Sequence, residues 1–277
     1  MRLGGPTFEK NPDPASWVAE LKQLGYRAAY CPVDETADAV TVNAFAQAAS
    51  DADIIIAEVG VWNNPLSPDA DERKRAIELC QKKLALADAI GARCCVNISG
   101  SRGTLWDGPH PDNYSSETFE MIVETTRSIL DAVKPTRTFY TLEPMPWMLP
   151  DSVDSYLKLL RAINRPQFAA HLDPVNIITH PRLYYDNSRF LRDCFERLGP
   201  YIKSCHAKDI TLVEQLTVHL SEVRPGLGGL DYVTLLHEMN RLNPDTPLML
   251  EHLPNAEDYL AAAEHVRSIA QVEHLTL

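Results

Sequence analysis

The chain has 277 residues, of which 45% are hydrophobic, and this length and composition predict one large α/β domain spanning residues 1–277. Its formal net charge of −12 argues against nucleic acid and anionic membranes as partners, because both would repel an acidic surface. No apolar run approaches the roughly 20 residues that a membrane-spanning helix needs, and the N-terminus lacks the apolar core of a secretion signal. The six cysteines form no CxxC pair, which favours reduced thiols and a cytoplasmic location.

Apolar, strand-like segments alternate with amphipathic helical segments along the whole chain. We predict eight strands, at Arg2–Gly5, Arg27–Cys31, Asp53–Glu58, Arg93–Asn97, Thr138–Glu143, Phe168–Asp173, Ile202–His206 and Pro247–Glu251. Apolar residues spaced three and four apart predict eight helices, at Ser16–Leu24, Ala37–Ser50, Asp69–Ile90, Ser116–Val133, Ser152–Ile163, Ser188–Leu198, Tyr232–Asn240 and Ala256–Ala270. Strands that alternate with helices indicate a parallel sheet.

The number of these units predicts how the sheet closes. Eight strand–helix units in about 250 residues are the usual size of a (β/α)8 barrel, so we predict a single-domain TIM barrel. An open, doubly wound sheet is the alternative, but no glycine-rich dinucleotide fingerprint follows the first strand. Gly25, Gly91 and Gly199 each stand where a helix should end before a strand begins, which agrees with the alternation.

The last four predicted strands all end in a side chain that binds divalent cations. These residues are Glu143, Asp173, His206 and Glu251. In a parallel barrel the carboxyl ends of the strands converge on one face, and that face carries the chemistry. Three carboxylates and one imidazole predict a site for one divalent ion, which suits Mn²⁺ or Mg²⁺ and can also hold Co²⁺ or Zn²⁺. The alternative is that these charged strand ends merely face solvent.

A divalent ion and two carboxylates in one pocket support a definite chemistry. The ion polarises a carbonyl and the adjacent hydroxyl of a polyol. One carboxylate removes a proton from the carbon beside the carbonyl, and the other returns a proton or protonates a leaving hydroxyl. The outcome is isomerisation or epimerisation in the first case and dehydration in the second.

Five motifs contain or accompany these four residues. They are Leu142-Glu143-Pro144, His171-Leu-Asp173-Pro-Val-Asn176, His206-Ala-Lys208-Asp209, Arg224-Pro-Gly-Leu-Gly-Gly-Leu-Asp231-Tyr232 and Leu250-Glu251-His252. With these motifs the chain resembles the xylose isomerase-like barrel superfamily of sugar isomerases and epimerases over essentially its whole length. The resemblance implies that the four residues bind one metal and that Glu143 and Glu251 form the acid–base pair. It also implies a small sugar or polyol as substrate.

Departures from particular subfamilies narrow the choice of substrate. Endonuclease IV-like members build a three-zinc cluster with extra histidines, but the matching strand ends here offer Glu58 and Asn97. Ketose 3-epimerases usually carry a histidine three residues after the metal aspartate and an arginine six residues after the metal histidine. Asn176 and Leu212 stand at those positions. The sequence therefore argues against both subfamilies and leaves another sugar, an inositol or a keto acid open.

Further polar and aromatic residues near the strand ends are candidates for substrate contact. We predict substrate binding by Asn176, Glu58, Asn97, Lys208, Arg224 and Trp106. Glu58 and Asn97 could instead support the loops, and Lys208 could instead be a solvated loop lysine. His171 is interpreted as a satisfied core histidine.

The loops after the third to fifth strands carry Trp62, Trp106 and Trp147, which could form an aromatic wall for a sugar ring or could simply pack the loops. Arg102, together with Arg224, is a candidate anchor for an anionic group. The segment from residue 209 to residue 231 is long enough to form a lid.

Residues and resemblance together predict a divalent-metal-dependent isomerase or epimerase. It would act on a sugar or related polyhydroxy carbonyl compound by glutamate-mediated proton transfer. A metal-dependent lyase is the first alternative, either an inosose- or keto-sugar-type dehydratase or an enzyme that cleaves 3-keto-glycosides. A non-catalytic sugar-binding subunit is the second. The possibility of a homo-oligomer stays open.

Overall fold

Eight parallel strands close into a barrel in the computed structural model, which describes residues 1–277. The barrel strands are β1 (Arg2–Gly5), β2 (Ala28–Tyr30), β3 (Ile55–Gly60), β4 (Cys94–Asn97), β5 (Phe139–Leu142), β6 (Phe168–Leu172), β7 (Ile202–Ala207) and, after a hairpin of β8 (Asp209–Val213) and β9 (His219–Val223), β10 (Pro247–Leu250). Each barrel strand is hydrogen-bonded to the next, and β10 pairs with both β7 and β1 to close the ring. The predicted TIM barrel is therefore confirmed, and the open sheet is excluded.

The helices lie between the strands and cover the outside of the barrel. They are α1 (Pro14–Leu24), α2 (Ala39–Asp51), α3 (Ala70–Ile90), α4 (Ser116–Val133), α5 (Val153–Ile163), α6 (Pro174–Ile177), α7 (Pro181–Tyr185), α8 (Asn187–Leu198), α9 (Tyr232–Asn240) and α10 (Ala256–Val272). One continuous apolar cluster joins their inner faces to the strands. None of the helices has the length and apolar character that crossing a membrane requires.

Local chemistry at the helix ends explains where most helices begin and stop. The Asp69 carboxylate, for example, accepts a hydrogen bond of 2.8 Å from the Glu72 backbone N–H and so begins α3. Gly91 ends the same helix at φ +79°, a left-handed conformation that other residues rarely adopt. Gly199 differs, because its backbone is right-handed (φ −44°) and begins a short 3₁₀ turn that leads through Pro200 into β7.

The segment predicted as a lid is ordered by its own sheet and by one carboxylate. β8 and β9 form an antiparallel hairpin, which the sequence analysis did not predict. Asp209 accepts backbone hydrogen bonds from Gly226 at 2.9 Å, Gly228 at 3.0 Å and Leu230 at 2.9 Å. A Cβ atom at Gly228 would lie 2.3 Å from Asp209 Oδ1. The glycine-rich bend is therefore built to wrap a carboxylate of the protein itself.

Candidate metal centre

The four strand-end residues meet at one buried point on the carboxyl face of the barrel. Glu143, Asp173 and Glu251 directly follow β5, β6 and β10, and His206 lies within β7. These four strands are neighbours in the barrel. One potential ligand atom from each residue lies within 4.8 Å of the other three. The four residues are at most 8% exposed, so the donors are held away from bulk solvent.

The imidazole of His206 is central in this group. Its Nδ1 atom lies 2.7 Å from Glu251 Oε1, 3.2 Å from Glu143 Oε1 and 3.5 Å from Asp173 Oδ2. One carboxylate oxygen of each acidic residue therefore points to the same side of the ring. This is the arrangement that a single divalent ion requires of its ligands.

Lys208 places a positive charge among the same oxygens. Its Nζ atom lies 2.7 Å from both Asp173 Oδ2 and Glu251 Oε1 and 3.5 Å from Glu143 Oε1, and the residue is 1% exposed. The ammonium nevertheless makes no hydrogen bond of normal geometry, and Asp173 Oδ2 and Glu251 Oε1 have none either. The carboxylates thus surround a cation without directional bonds. Because a metal ion would satisfy these unpartnered oxygens, the residues present fit a divalent ion.

For Glu143, Glu251 and Lys208, burial shifts the pKa in one direction and the neighbouring opposite charges shift it in the other. Burial raises the pKa of Glu143 above its ordinary value, more than His206 lowers it. Burial acts in the same direction on Glu251, but His206 and Lys208 outweigh it and lower the Glu251 pKa to about 2. Burial would lower the pKa of Lys208, but the facing carboxylates raise it well above its ordinary value. Lys208 is therefore a charged ammonium in the folded protein.

A second buried network holds the other side of the His206 ring. Glu58 Oε2 lies 3.3 Å from His206 Nε2, and Glu58 Oε1 lies 3.0 Å from His171 Nε2. The hydroxyl of Ser204 donates to the same Oε1 atom. A carboxylate on the far nitrogen of a ligand histidine fixes the orientation of the ring. His171 pairs through Nε2 only, because its Nδ1 is buried without a partner.

The remaining predicted substrate residues take different positions. Asn176 donates a hydrogen bond of 3.0 Å to Glu143 Oε1 and lines the cleft above the donors. Asn97 is fully buried and donates to Asn63 Oδ1 at 2.8 Å, so it supports the loop after β3. Arg224 lies outside the cleft lining, where its Nε is 3.3 Å from Asp258. The Arg102 guanidinium likewise donates to the Leu66 carbonyl at 3.1 Å.

The donors open into a cleft of about 580 Å³. Its charged lining is acidic, with Glu222 and Asp107 beside the two glutamates of the donor set. Its aromatic lining consists of Tyr30, Trp62, Trp106, Trp147 and Tyr259. Sequence analysis had not assigned the site roles of Tyr30, Glu222, Tyr259 and His252. Only His252 had a usable signal, because it directly follows Glu251 in a motif.

A second cleft, of about 510 Å³, includes Arg93 and Lys203 in its lining and lies near the amino ends of the strands. It contains none of the metal-donor residues. The candidate donors therefore lie on the opposite, carboxyl face, which carries the active site in other barrels of this kind.

Solved structures with the same fold include proteins of several activities. D-psicose 3-epimerase from Clostridium cellulolyticum H10 is 12% identical and superposes with a TM-score of 0.70 over 100% of both chains. The probable 3-DHS dehydratase AsbF from Bacillus anthracis is 16% identical, with a TM-score of 0.69 over 98% of this chain and 99% of that one. A xylose isomerase-like TIM barrel protein from Mycobacterium smegmatis, solved in complex with magnesium, is 12% identical, with a TM-score of 0.68 over 98% and 96%. Identities this low show a common fold and not a common activity.

No curated protein shows significant sequence similarity to this chain. The family model described as xylose isomerase-like TIM barrel, in contrast, matches residues 18–269. This match covers most of the chain, including all four donor residues, and it agrees with the resemblance found in the motifs. The chain belongs to the xylose isomerase-like TIM barrel family.

Proposed function

We propose that this chain is a divalent-metal-dependent isomerase or epimerase that acts on a sugar or related polyhydroxy carbonyl compound by proton transfer. The observation that carries the proposal is the convergence of three carboxylates and one imidazole, from four neighbouring strands, at the inner end of an open cleft. The fold is shared with an epimerase and a dehydratase, which supports this class of chemistry without selecting one reaction.

The charge of the donor set supports a divalent ion in particular. Glu143, Asp173 and Glu251 contribute three negative charges, and Lys208 contributes one positive charge. With His206 neutral, as a metal-ligating imidazole must be, the difference is two negative charges, which a divalent cation neutralises. Together with His206, the three carboxylates would hold it. When bound, such an ion supplies Lewis-acid stabilisation of negative charge on a substrate oxygen.

The two glutamates are arranged for proton transfer on both sides of a substrate carbon. Both line the cleft, and their strands, β5 and β10, are separated in the barrel by β6 and β7. Glu143 and Glu251 therefore approach a ligand in the cleft from different directions. Asn176 donates to Glu143 Oε1 and so fixes the direction of that carboxylate. Either glutamate can accept the proton, depending on which face of the carbon carries it.

Deuterium exchange tests this proposal directly. Wild-type protein loaded with Mn²⁺ is incubated in D₂O with a panel of ketoses and inososes, and the products are followed by NMR and mass spectrometry. We expect deuterium at the carbon beside the carbonyl in the true substrate, and strongly reduced product formation by Glu143→Gln and by Glu251→Gln. Turnover without any deuterium, undiminished in both variants, would exclude the two-glutamate mechanism.

A metal-dependent lyase is the second candidate, and the size of the cleft favours it. About 580 Å³ is more space than one hexose needs, so a leaving group could occupy the remainder. One glutamate would then protonate that group instead of returning a proton to carbon. Loss of water or of an aglycone is measured as a product mass lower than that of the substrate, which separates the lyase from the epimerase.

A further inference from the structure

Three tryptophans stand around the cleft, on three successive loops of the barrel. Trp62 follows β3, Trp106 follows β4 and Trp147 follows β5. Trp62 is 41% exposed and Trp147 is 38% exposed, although an indole is among the largest apolar side chains. Large aromatic surface left open to water at a cleft indicates a binding surface. We call these three residues the tryptophan wall.

The position of Trp62 is fixed at a cost to its own backbone. Its φ angle is +51°, a left-handed conformation that is strained for a bulky residue. The indole folds back over Gly60, where an added Cβ would lie 2.3 Å from the Trp62 Nε1 atom. The buried Asn97 holds the loop by accepting a hydrogen bond of 3.1 Å from the Asn63 backbone N–H. Strain that the surrounding structure maintains in this way is typical of functional sites.

Hydrogen bonds connect the other two members of the wall. The Trp147 indole N–H donates to the Asp107 carbonyl at 2.5 Å, and Asp107 directly follows Trp106. The buried Asn113 donates to the Trp147 carbonyl at 3.0 Å. The loops after β4 and β5 are thereby held together. The wall is therefore preorganised and does not need a ligand to assemble it.

The charges around the cleft oppose an anionic ligand. Asp107 and Glu222 add two carboxylates to those of the donor set. His252 is the lining residue that can carry a positive charge. Its ring already faces carboxylates on both sides, with Nδ1 3.4 Å from Glu222 and Nε2 3.5 Å from Glu251. Arg224 is engaged by Asp258. A phosphate in the cleft would therefore meet carboxylates and no free guanidinium.

From the tryptophan wall and the acidic lining, we infer that the substrate is an uncharged ring-form ketone, a pyranoside or cyclitol whose carbonyl is a ring carbon, and not a sugar phosphate. A six-membered polyol ring presents flat C–H faces that pack on indoles, whereas an open chain offers no persistent flat face. A carbonyl on a ring carbon also needs no ring opening before proton transfer. This inference rests on the proposed function for its chemistry, but its test is a binding measurement.

Binding of matched probes to the Mn²⁺-loaded protein tests the inference. The probes are an inosose, fructose and fructose 6-phosphate, and the readouts are calorimetry and intrinsic tryptophan fluorescence. We expect the inosose to bind more tightly than fructose and to change the fluorescence of the wall. We expect fructose 6-phosphate to bind more weakly than fructose, because its phosphate adds repulsion without a partner.

Substitutions measure how much the tryptophan wall contributes to inosose binding. Trp62→Ala and Trp147→Ala should each weaken inosose binding about three- to tenfold, which is the range expected for one lost aromatic contact. Affinity for Mn²⁺ should not change with Trp62→Ala. Tyr185→Ala, which removes an aromatic residue that is 77% exposed and outside the cleft lining, is the matched control and should bind like wild type.

The possible results distinguish this inference from the proposed function. Tighter binding of fructose 6-phosphate than of fructose would overturn the inference, and so would wild-type affinity for the inosose in both tryptophan variants. Absence of inosose binding at millimolar concentration would also overturn it. If the inosose binds as expected but no ring ketone exchanges deuterium or forms product, the ring-binding site stands and the proposed proton transfer fails.

Discussion

Replacing Lys208 by methionine should destabilise the metal-free protein and strengthen its metal binding. Methionine keeps the unbranched shape and most of the length of the side chain but removes the charge that lies 2.7 Å from two carboxylates. Breaking a buried ion pair by removing one partner costs about 3–5 kcal/mol, and the lower end applies because water can enter through the cleft. A loss of about 3 kcal/mol lowers the melting temperature of a domain of this size by roughly 5 °C.

The same change should raise the affinity for Mn²⁺. In wild type an incoming ion must displace the Lys208 ammonium or tolerate it among the same oxygens. Without the ammonium, three carboxylates face the ion alone, and we expect binding at least about tenfold tighter, since close like charges oppose each other by more than 1.4 kcal/mol. Saturating Mn²⁺ should therefore raise the melting temperature of Lys208→Met by more than it raises that of wild type.

Thermal unfolding and calorimetric titration with Mn²⁺, both starting from chelated protein, measure the two effects. Lys203→Met is the control, because Lys203 lies on β7, five residues before Lys208, but places its Nζ over the Phe139 ring, 4.3 Å from the centroid. This control should leave Mn²⁺ affinity unchanged. Equal Mn²⁺ affinity in wild type and Lys208→Met would show that the ammonium does not share the metal position, and our assignment of the donor set would then be wrong.

Three further predictions address the acid–base pair, its support and the stability of the fold. Glu143→Gln and Glu251→Gln should each retain inosose binding in the calorimeter but lose turnover by roughly a hundredfold or more, the effect of removing a general base. Glu58→Gln should weaken Mn²⁺ binding about 10–100-fold in the same titration, because it removes the charge that orients His206. Asp88 accepts backbone hydrogen bonds of 2.8 Å and 2.6 Å from Thr136 and Arg137, and they lower its pKa although its partial burial opposes the shift. Because the folded pKa is lowered, the carboxylate stabilises the fold above its unfolded pKa of about 3.9 and stops doing so as the pH falls through the folded value. In urea unfolding, Asp88→Asn should therefore cost about 1 kcal/mol at pH 7 and progressively less below about pH 4.

The barrel could be predicted from local sequence patterns, because each strand and each helix is specified by the residues within it. Apolar runs marked all eight barrel strands, and helix spacing marked the eight longer helices within a few residues. The hairpin of β8 and β9 escaped prediction because the chain leaves β7 at Ala207 and enters β8 at Asp209. Such a short gap offers no turn signal to show that a new strand begins. The three glycines before Asp231 also made the rest of the segment resemble an irregular loop.

The donor set was predictable for a similar reason, but the contacts around it were not. A residue at the carboxyl end of a barrel strand reaches the common face wherever the strand lies in the sequence. How far a side chain extends from there is set by packing. Lys208 was predicted to contact substrate, and nothing in the sequence indicated that its ammonium also lies against Asp173 and Glu251. Glu58 was predicted to bind substrate or to support the loops, and its contacts with His171 and His206 were likewise not predicted.

The metal donors and the tryptophan wall come from different parts of the barrel and meet at one loop. The donors follow or lie in β5, β6, β7 and β10, whereas the indoles follow β3, β4 and β5. The loop after β5 contributes one residue to the donor set and one to the tryptophan wall, because it begins with Glu143 and carries Trp147 four residues later. Met145, between them, has its sulfur 3.8 Å from the Asn176 amide that also contacts Glu143. Loss of the Trp147 indole would therefore loosen the loop whose Met145 packs on the amide that directs the Glu143 carboxylate. Of the three wall residues, Trp147 is the one whose loss should change turnover as well as binding, while Trp62 should change binding alone.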